Sequence, residues 1–214
     1  MIKLLACIFM TIDHIGIIFF PELIGFRIVG RLAMPLFSFA IARGFYYAHK
    51  HGTLATYKKR MLIFAVISQI PYVLMVKDLS GNICFLWLVC LIFLEHAENK
   101  LKTSRHYISM CLLVLCVAIV PMAYGLYGFG FTLVLYYFQI KKENNTMLYL
   151  GYVSIHALLM TKSVQYSLMQ VFTLPCLPII DILKKYDYKI KISRNFFYLF
   201  YPLHITVLLI IKSI

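Results

Sequence analysis

Nine apolar stretches, near residues 4–21, 28–47, 61–76, 83–95, 107–123, 125–140, 147–161, 165–183 and 196–212, follow one another along the 214-residue chain with little between them. Most approach the ~17–25 residues a helix needs to cross a bilayer. Hydrocarbon offers backbone groups no water, so such segments satisfy their own hydrogen bonds by coiling. The pattern predicts an all-α, polytopic membrane helix bundle of about nine transmembrane helices, within a range of eight to ten. The range arises because 83–95 is short and 147–161 could form a re-entrant hairpin with its neighbour. Hydrophobic residues make up 62% of the chain, charged residues 14%, and the mean hydropathy is +0.84. No linker marks a second domain, so residues 1–214 read as a single integral-membrane domain.

Charge orients the bundle, because cytoplasmic loops collect Lys and Arg. With the amino terminus cytoplasmic, that side holds Lys3; Arg43, Lys50, Lys58, Lys59 and Arg60; Lys100, Lys102 and Arg105; Lys141 and Lys142; and Lys184, Lys185, Lys189, Lys191 and Arg194. Sixteen of 21 basic residues then alternate onto one face, leaving Arg27, Arg31, Lys77, Lys162 and Lys212, and the carboxyl terminus is predicted outside. The net charge of +13 is thereby explained by topology and anionic lipid rather than by nucleic acid. Clustered cytoplasmic Lys and Arg also suit the phosphates of an anionic cofactor. The stretch from Met1 to Phe9 has no small-residue cleavage site after it and reads as part of the first span, not a signal peptide. The six cysteines fall in apolar segments without metal-ligand spacing and read as small buried hydrophobes, so no metal site is expected.

Ionisable groups inside a membrane segment are costly and usually functional, which singles out Asp13 and His14. At ~1.5 Å per residue, His14 lies roughly 16 Å beyond Lys3, near the bilayer middle. Eleven steps of about 100° return within ~20° of the start, so Lys3 and His14 share a helix face along which a groove could run. Asp13 is poorly turned to orient the imidazole directly, and a structural ion pair with Arg31 is an alternative role for it. Measured from Arg60 and Arg194, Ser68, Gln69, Tyr201 and His204 reach a similar depth, as does Ser38. For Ser38, Ser68, Gln69 and Tyr201 the commoner role is interhelical glue. For Asp13, His14 and Arg31 function outweighs glue, and His204 fits either role. Pro35 and Pro71 are expected to weaken their helices near this level, and Y-G-L-Y-G-F-G (Tyr124 to Gly130) to form a tight outer turn with close packing. A mid-membrane histidine that takes and returns a proton is a natural general base.

The blocks M-T-I-D-H-I-G (Met10 to Gly16), I-V-G-R-L-A-M-P-L-F (Ile28 to Phe37), L-I-F-A-V-I-S-Q-I-P (Leu62 to Pro71), Y-G-L-Y-G (Tyr124 to Gly128) and N-F-F-Y-L-F-Y-P-L-H (Asn195 to His204) resemble the TraX family. That family is named for the F-pilin acetylase, a bacterial inner-membrane protein. It is similar in turn to the acyltransferase-3 group, which moves acetyl from cytoplasmic acetyl-CoA to acceptors across the membrane. In that group a basic residue precedes an essential first-span histidine by ten intervening residues, a spacing that Lys3 and His14 match. The resemblance implies an acetyl-CoA-dependent membrane acetyltransferase in the bacterial inner membrane, with His14 as base or transient acetyl carrier and Lys3 guiding the CoA phosphates. The acceptor would be a pilin peptide or an envelope glycan, with Asp13 and Arg31 walling the site and Ser38, Gln69, Tyr201 and His204 around it. Two other readings stand beside it: a solute transporter or flippase using the same charges, and a non-enzymatic pilus or envelope assembly factor. The residues leave direct transfer versus acetyl-His14, the acceptor, and a homo-oligomeric state open.

Overall fold

The computed structural model describes residues 1–99, 103–141, 146, 150–151, 154, 171–173, 175–185 and 193–214. The expected span 147–161, the first part of that at 165–183, the side chain of Arg194, and Lys100, Lys102, Lys142, Lys162, Lys189 and Lys191 lie outside the described residues. The described elements are α1 (Ile2–Phe19), α2 (Ile24–Gly30), α3 (Ala33–Lys50), α4 (Leu54–Val76), α5 (Ile83–Glu98), α6 (Ser104–Ile119), α7 (Gly125–Val134, continuing as a π-helical turn Leu135–Ile140), α8 (Cys176–Lys185) and α9 (Arg194–Ser213). No strand occurs among the described residues. Four helical stretches are long and apolar enough to cross a membrane: Ile2–Phe19, Ile24–Lys50, Leu54–Val76 and Phe196–Ser213. Shorter apolar helices run over Ser104–Ile119 and Gly125–Ile140.

α1 packs against α2, α3 and α9, while α4 packs against α5 and α9. Helix ends are laced by charge at one face of this arrangement. Lys58 near the start of α4 pairs with Glu95 at the end of α5, and Lys141 Nζ lies 2.7 Å from Glu98 Oε1. Lys3, His51, Thr53 and Arg60 surround a cavity on this same side, called here the Lys3 face. At the opposite face the loops after α4 and α6 are tied together, with Gly81 N–H donating to Pro121 O at 2.9 Å and Ala123 N–H to Gly81 O at 2.8 Å. Arg27, Arg31 and Tyr124 lie towards that second face, the Arg31 face. Outward-turned Leu62, Val66, Ile70 and Leu74 give α4 a broad apolar surface, as expected of a helix meeting lipid.

Three sequence expectations change. The break in the second segment falls at Arg31–Leu32, upstream of Pro35, so the stretch is two helices, α2 and α3. Pro35 sits in the first turn of α3, where the missing N–H would have had no helical partner anyway, and it weakens nothing. The third segment begins at Leu54, seven residues before 61, because Leu54 to Arg60 are helical despite the charges of Lys58, Lys59 and Arg60. Gln69 is therefore about 22 Å along α4, near the Arg31 face rather than at mid-depth. Finally, Cys111 is exposed on α6 and Cys116 half-buried, whereas Cys7, Cys84, Cys90 and Cys176 are buried.

At its actual depth Gln69 has a structural task. Its Nε2 donates to Ser80 O at 2.8 Å, and its Oε1 accepts from Asn82 N–H at 3.0 Å and Asn82 Nδ2 at 2.9 Å. Asn82 is fully buried; its Nδ2 also reaches Ala65 O, and its Oδ1 caps α5 by accepting from Cys84 N–H at 2.9 Å. One asparagine thus fastens the α4–α5 turn, and Asn82→Ala should cost about 1–3 kcal/mol by leaving these buried groups unpaired. Thermal unfolding of the detergent-solubilised protein checks this; an unchanged midpoint would exclude the role.

Candidate functional site

Successive residues on one face of α1, namely Lys3, Cys7, Met10, His14 and Ile17, line two adjoining cavities in that order. Spacings of four and three residues keep them in a single stripe, as the groove expectation required. The cavity on the Lys3 face has about 380 Å³ and is walled by Lys3, Arg60, His51 and the aromatic rings of Tyr47, Tyr57, Phe197 and Tyr198. The cavity towards the Arg31 face has about 230 Å³ and holds Asp13, His14, Arg27, Arg31, Tyr72 and Tyr124. Met10, Phe37, Ile83, Trp87 and Tyr201 line both, so they form the partition between them.

His14 is the histidine of the smaller cavity, 8% exposed. Its Nδ1 lies 2.7 Å from His204 Nε2, and His204 Nδ1 lies 2.7 Å from Phe200 O. The two imidazoles are inclined by only 4° with centroids 4.9 Å apart, which with a 2.7 Å nitrogen contact places them edge to edge in one plane. A carbonyl oxygen only accepts, so His204 carries its proton on Nδ1 and offers Nε2 as acceptor. His14 must then be protonated on Nδ1, an assignment made from the hydrogen-bond chain. Its Nε2 keeps a lone pair, with no hydrogen-bond partner among the described residues. Tyr201, one turn from His204 on α9, stands beside this pair with its ring centroid 6.1 Å from that of His14.

Asp13 points elsewhere than the imidazole, and its partner is Arg27, not Arg31. Arg27 Nη1 approaches Asp13 Oδ1 to 3.0 Å, a charge contact without hydrogen-bond alignment. α2 stops before Arg31, which turns that side chain away: Arg31 Nη1 donates to Tyr124 Oη at 3.1 Å, and its guanidinium lies 5.8 Å from the Tyr124 ring. Tyr124 is placed by backbone in the left-handed region, φ 66°, with Gly125 following at φ 46°; the tight turn expected over Tyr124 to Gly130 ends at Tyr124, because Gly125 to Gly130 are the first residues of α7. Gly30 lets Asp13 come this close. A Cβ at Gly30 would stand 2.7 Å from Asp13 Cα and nearer still to its side chain.

The structure thus brings together Asp13, His14, Arg31, Tyr201 and His204, and places Lys3 on the adjoining cavity with Nζ 5.4 Å from the Phe197 ring. Gln69 stands apart, as described, and lines neither cavity. Ser38 also lines neither, but its Oγ accepts from Trp87 Nε1 at 3.2 Å and so holds the partition. Ser68 is fully buried outside both cavities. Sequence reasoning missed Arg27, Trp87, Tyr124 and Asn82 as site or anchor residues, and had Arg60 only within the cytoplasmic basic cluster suited to cofactor phosphates. The i,i+4 spacing of Arg27 and Arg31 was a usable signal for Arg27, and Asn before an apolar run is a helix-start signal for Asn82. Trp87 gave none, since its role depends on which helix faces it.

An all-helical protein, with several helices apolar and long enough to cross a membrane and a polar histidine site buried among them, is the class that fold and site define. Comparison with known families is then specific: the TraX protein family matches residues 1–212, and the chain belongs to it. A probable fimbrial assembly protein of Dichelobacter nodosus, FimC of serogroup H1, is 28% identical over 97% of this chain and 92% of its own length. An uncharacterised protein of Rickettsia prowazekii is 33% identical over 61% of this chain and 49% of its own. No solved structure matches the chain.

Proposed function

We propose that this chain is a multi-pass membrane acetyltransferase of a bacterial inner membrane, with about nine spans and the Lys3 face cytoplasmic, that moves acetyl from acetyl-CoA to an amine or hydroxyl at the Arg31-face cavity. The observation that carries this reading is the His14–His204–Phe200 chain, which leaves a lone pair on His14 Nε2 inside a cavity. A fixed base of that kind is what an acyl acceptor needs. It takes the acceptor's N–H or O–H proton as the acceptor forms its bond to the acetyl carbonyl, and returns the proton to the departing thiolate, so the reaction balances as acceptor ester or amide plus CoA thiol.

The cavity of the Lys3 face suits the donor. Lys3, Arg60 and His51 line it, and the buried Nε of Arg60 meets no hydrogen-bond partner among the described residues, a donor suited to a phosphate oxygen. The CoA phosphates would lie there, with the thioester end reaching past the partition of Trp87, held by Ser38, and Tyr201 to His14. The family's name and the fimbrial relative support a pilus or envelope setting, with a pilin peptide or envelope glycan as the acceptor to try first.

The test is CoA thiol release by purified protein in nanodiscs with candidate acceptors. Wild type should turn over, and His204→Ala, which removes the acceptor of the Nδ1 proton, should lower kcat by roughly 10–100-fold, as loss of a partner that orients a histidine does. His204→Gln, whose amide oxygen accepts the same bond, should recover part of the loss. A transporter or flippase would instead show no acetyl-CoA consumption in stable wild type, and that result would displace the enzyme reading.

A further inference from the structure

One hydroxyl fastens the partition between the two cavities. Ser38 Oγ accepts from Trp87 Nε1 at 3.2 Å and donates to Met34 Sδ at 3.4 Å, so it joins a side chain of α5 to another one turn back on α3. All three residues are buried. Phe37, next to Ser38 on α3, sets its ring 5.8 Å from that of Trp87. Behind Met34 stands α7: the Met34 methyl lies 3.8 Å from the place a Cβ on Gly128 would take. Buried Trp N–H groups find partners and hydroxyls link membrane helices, so interhelical glue would account for the bonds themselves. It does not account for where they lead. Trp87 lines both cavities and Met34 lines the Arg31-face cavity, so both groups that Ser38 holds are cavity wall. Methionine is ordinarily the side chain that repacks around whatever enters a site. Here a bond to its sulfur and a helix behind it hold it still.

From this geometry we propose that Trp87, Ser38 and Met34 form a fixed wall that restricts the transferred acyl group to a short chain, with Trp87 and Met34 as the specificity-determining contacts and Ser38 as their positioning residue. The inference rests on the acetyltransferase reading, in which the thioester end passes Trp87 to reach His14 Nε2. The acyl group is the leading end of that thioester, so it enters the Arg31-face cavity first and shares it with the acceptor. The cavity has about 230 Å³, below the ~300–1,000 Å³ of pockets for drug-sized ligands, and the two groups must fit together. A wall that cannot yield rejects added methylenes by bulk, at roughly 10–200-fold for each in a tight apolar pocket. The chemistry is the same for every chain length: the acyl C–S bond breaks, the acyl carbon bonds to the acceptor oxygen or nitrogen, and the acceptor proton passes through His14 Nε2 to the departing thiolate.

Wild type in nanodiscs is given acetyl-, butyryl- or hexanoyl-CoA with glycerol and alanine amide as acceptors, and CoA thiol release is followed. kcat/KM should fall at least about tenfold from the acetyl to the hexanoyl donor. Met34→Ala, which removes part of the wall, and Ser38→Ala, which frees it, should each raise the hexanoyl-to-acetyl ratio by about tenfold. Ser68→Ala, at a serine equally buried but outside both cavities, should leave the ratio unchanged. Loss of stability alone would lower the rates with all donors together, so only a selector moves the ratio. Trp87 is the only tryptophan of the chain, and its emission therefore reports on this wall without turnover. Acetyl-CoA should half-saturate the change in emission at a lower concentration than hexanoyl-CoA in wild type, and the two concentrations should converge in Ser38→Ala. Equal use of the two donors by wild type, or a ratio unmoved by both wall substitutions, would overturn the selector. If no donor is consumed, the acetyltransferase reading falls, and the emission titration alone decides whether the wall reads chain length, equal half-saturation rejecting it.

Discussion

Alanine at position 14 should leave the protein folded and lower acetyl transfer by roughly 10²–10⁴-fold, the range that a general base contributes. The reason is positional. His14 Nε2 is the lone pair held by the His204–Phe200 chain in the Arg31-face cavity, and the neighbouring Asp13 cannot take over, because its carboxylate is turned to Arg27. Folding should survive, since the histidine borders a cavity and the adjoining stripe of α1 through Met10 and Ile17 is untouched. Size-exclusion profiles and unfolding midpoints verify the fold, and thiol release with the acceptor found active in wild type verifies the loss. Single-turnover measurement separates two versions of the chemistry. If His14 carries the acetyl group, brief incubation of wild type with acetyl-CoA alone leaves a labile acetyl on the protein, absent from His14→Ala. An assembly role without chemistry gives the opposite pattern, with function intact in His14→Ala and lost when Asp13→Ala weakens the α1–α2 junction.

The second large effect concerns that junction. Gly30→Ala should destabilise the protein by about 1–3 kcal/mol or more, because the new methyl meets the backbone of Asp13 at 2.7 Å and cannot be relieved by a side-chain rotation. α1 and α2 would have to separate, carrying Asp13 away from Arg27. A control lies in the same helix. At Gly25 an added methyl would find nothing within 4 Å, so Gly25→Ala should be neutral or stabilise by about 0.4–1 kcal/mol through reduced chain entropy. Unfolding midpoints of the two variants in one detergent should therefore move apart, and equal midpoints would show that the close approach carries no stability.

The helices themselves were legible because their cause is local: long apolar runs in hydrocarbon must coil, and 125–140 and 83–95 were placed within a few residues of the observed elements. Boundaries slipped where charged residues continue a helix, as Lys58 to Arg60 do in α4, and that slip misplaced Gln69. The stripe Lys3 to His14 was legible for the same reason, since helical periodicity on one element needs no knowledge of its neighbours.

What the residues by themselves determined is the class of the protein: apolar segments that must be helices, ionisable groups inside the apolar run of α1, and motifs that identify the TraX family. Tertiary structure alone decided which groups meet. His14 and His204 are 190 residues apart in sequence and share a hydrogen bond, Asp13 chose Arg27 over Arg31, and Tyr124 arrived from a distant turn to brace the latter. No periodicity records such pairings, because they depend on how helices rotate and cross. In this protein that rotation is set by small contacts, such as the absent side chain at Gly30, whose effect appears only when the neighbouring helix is in place.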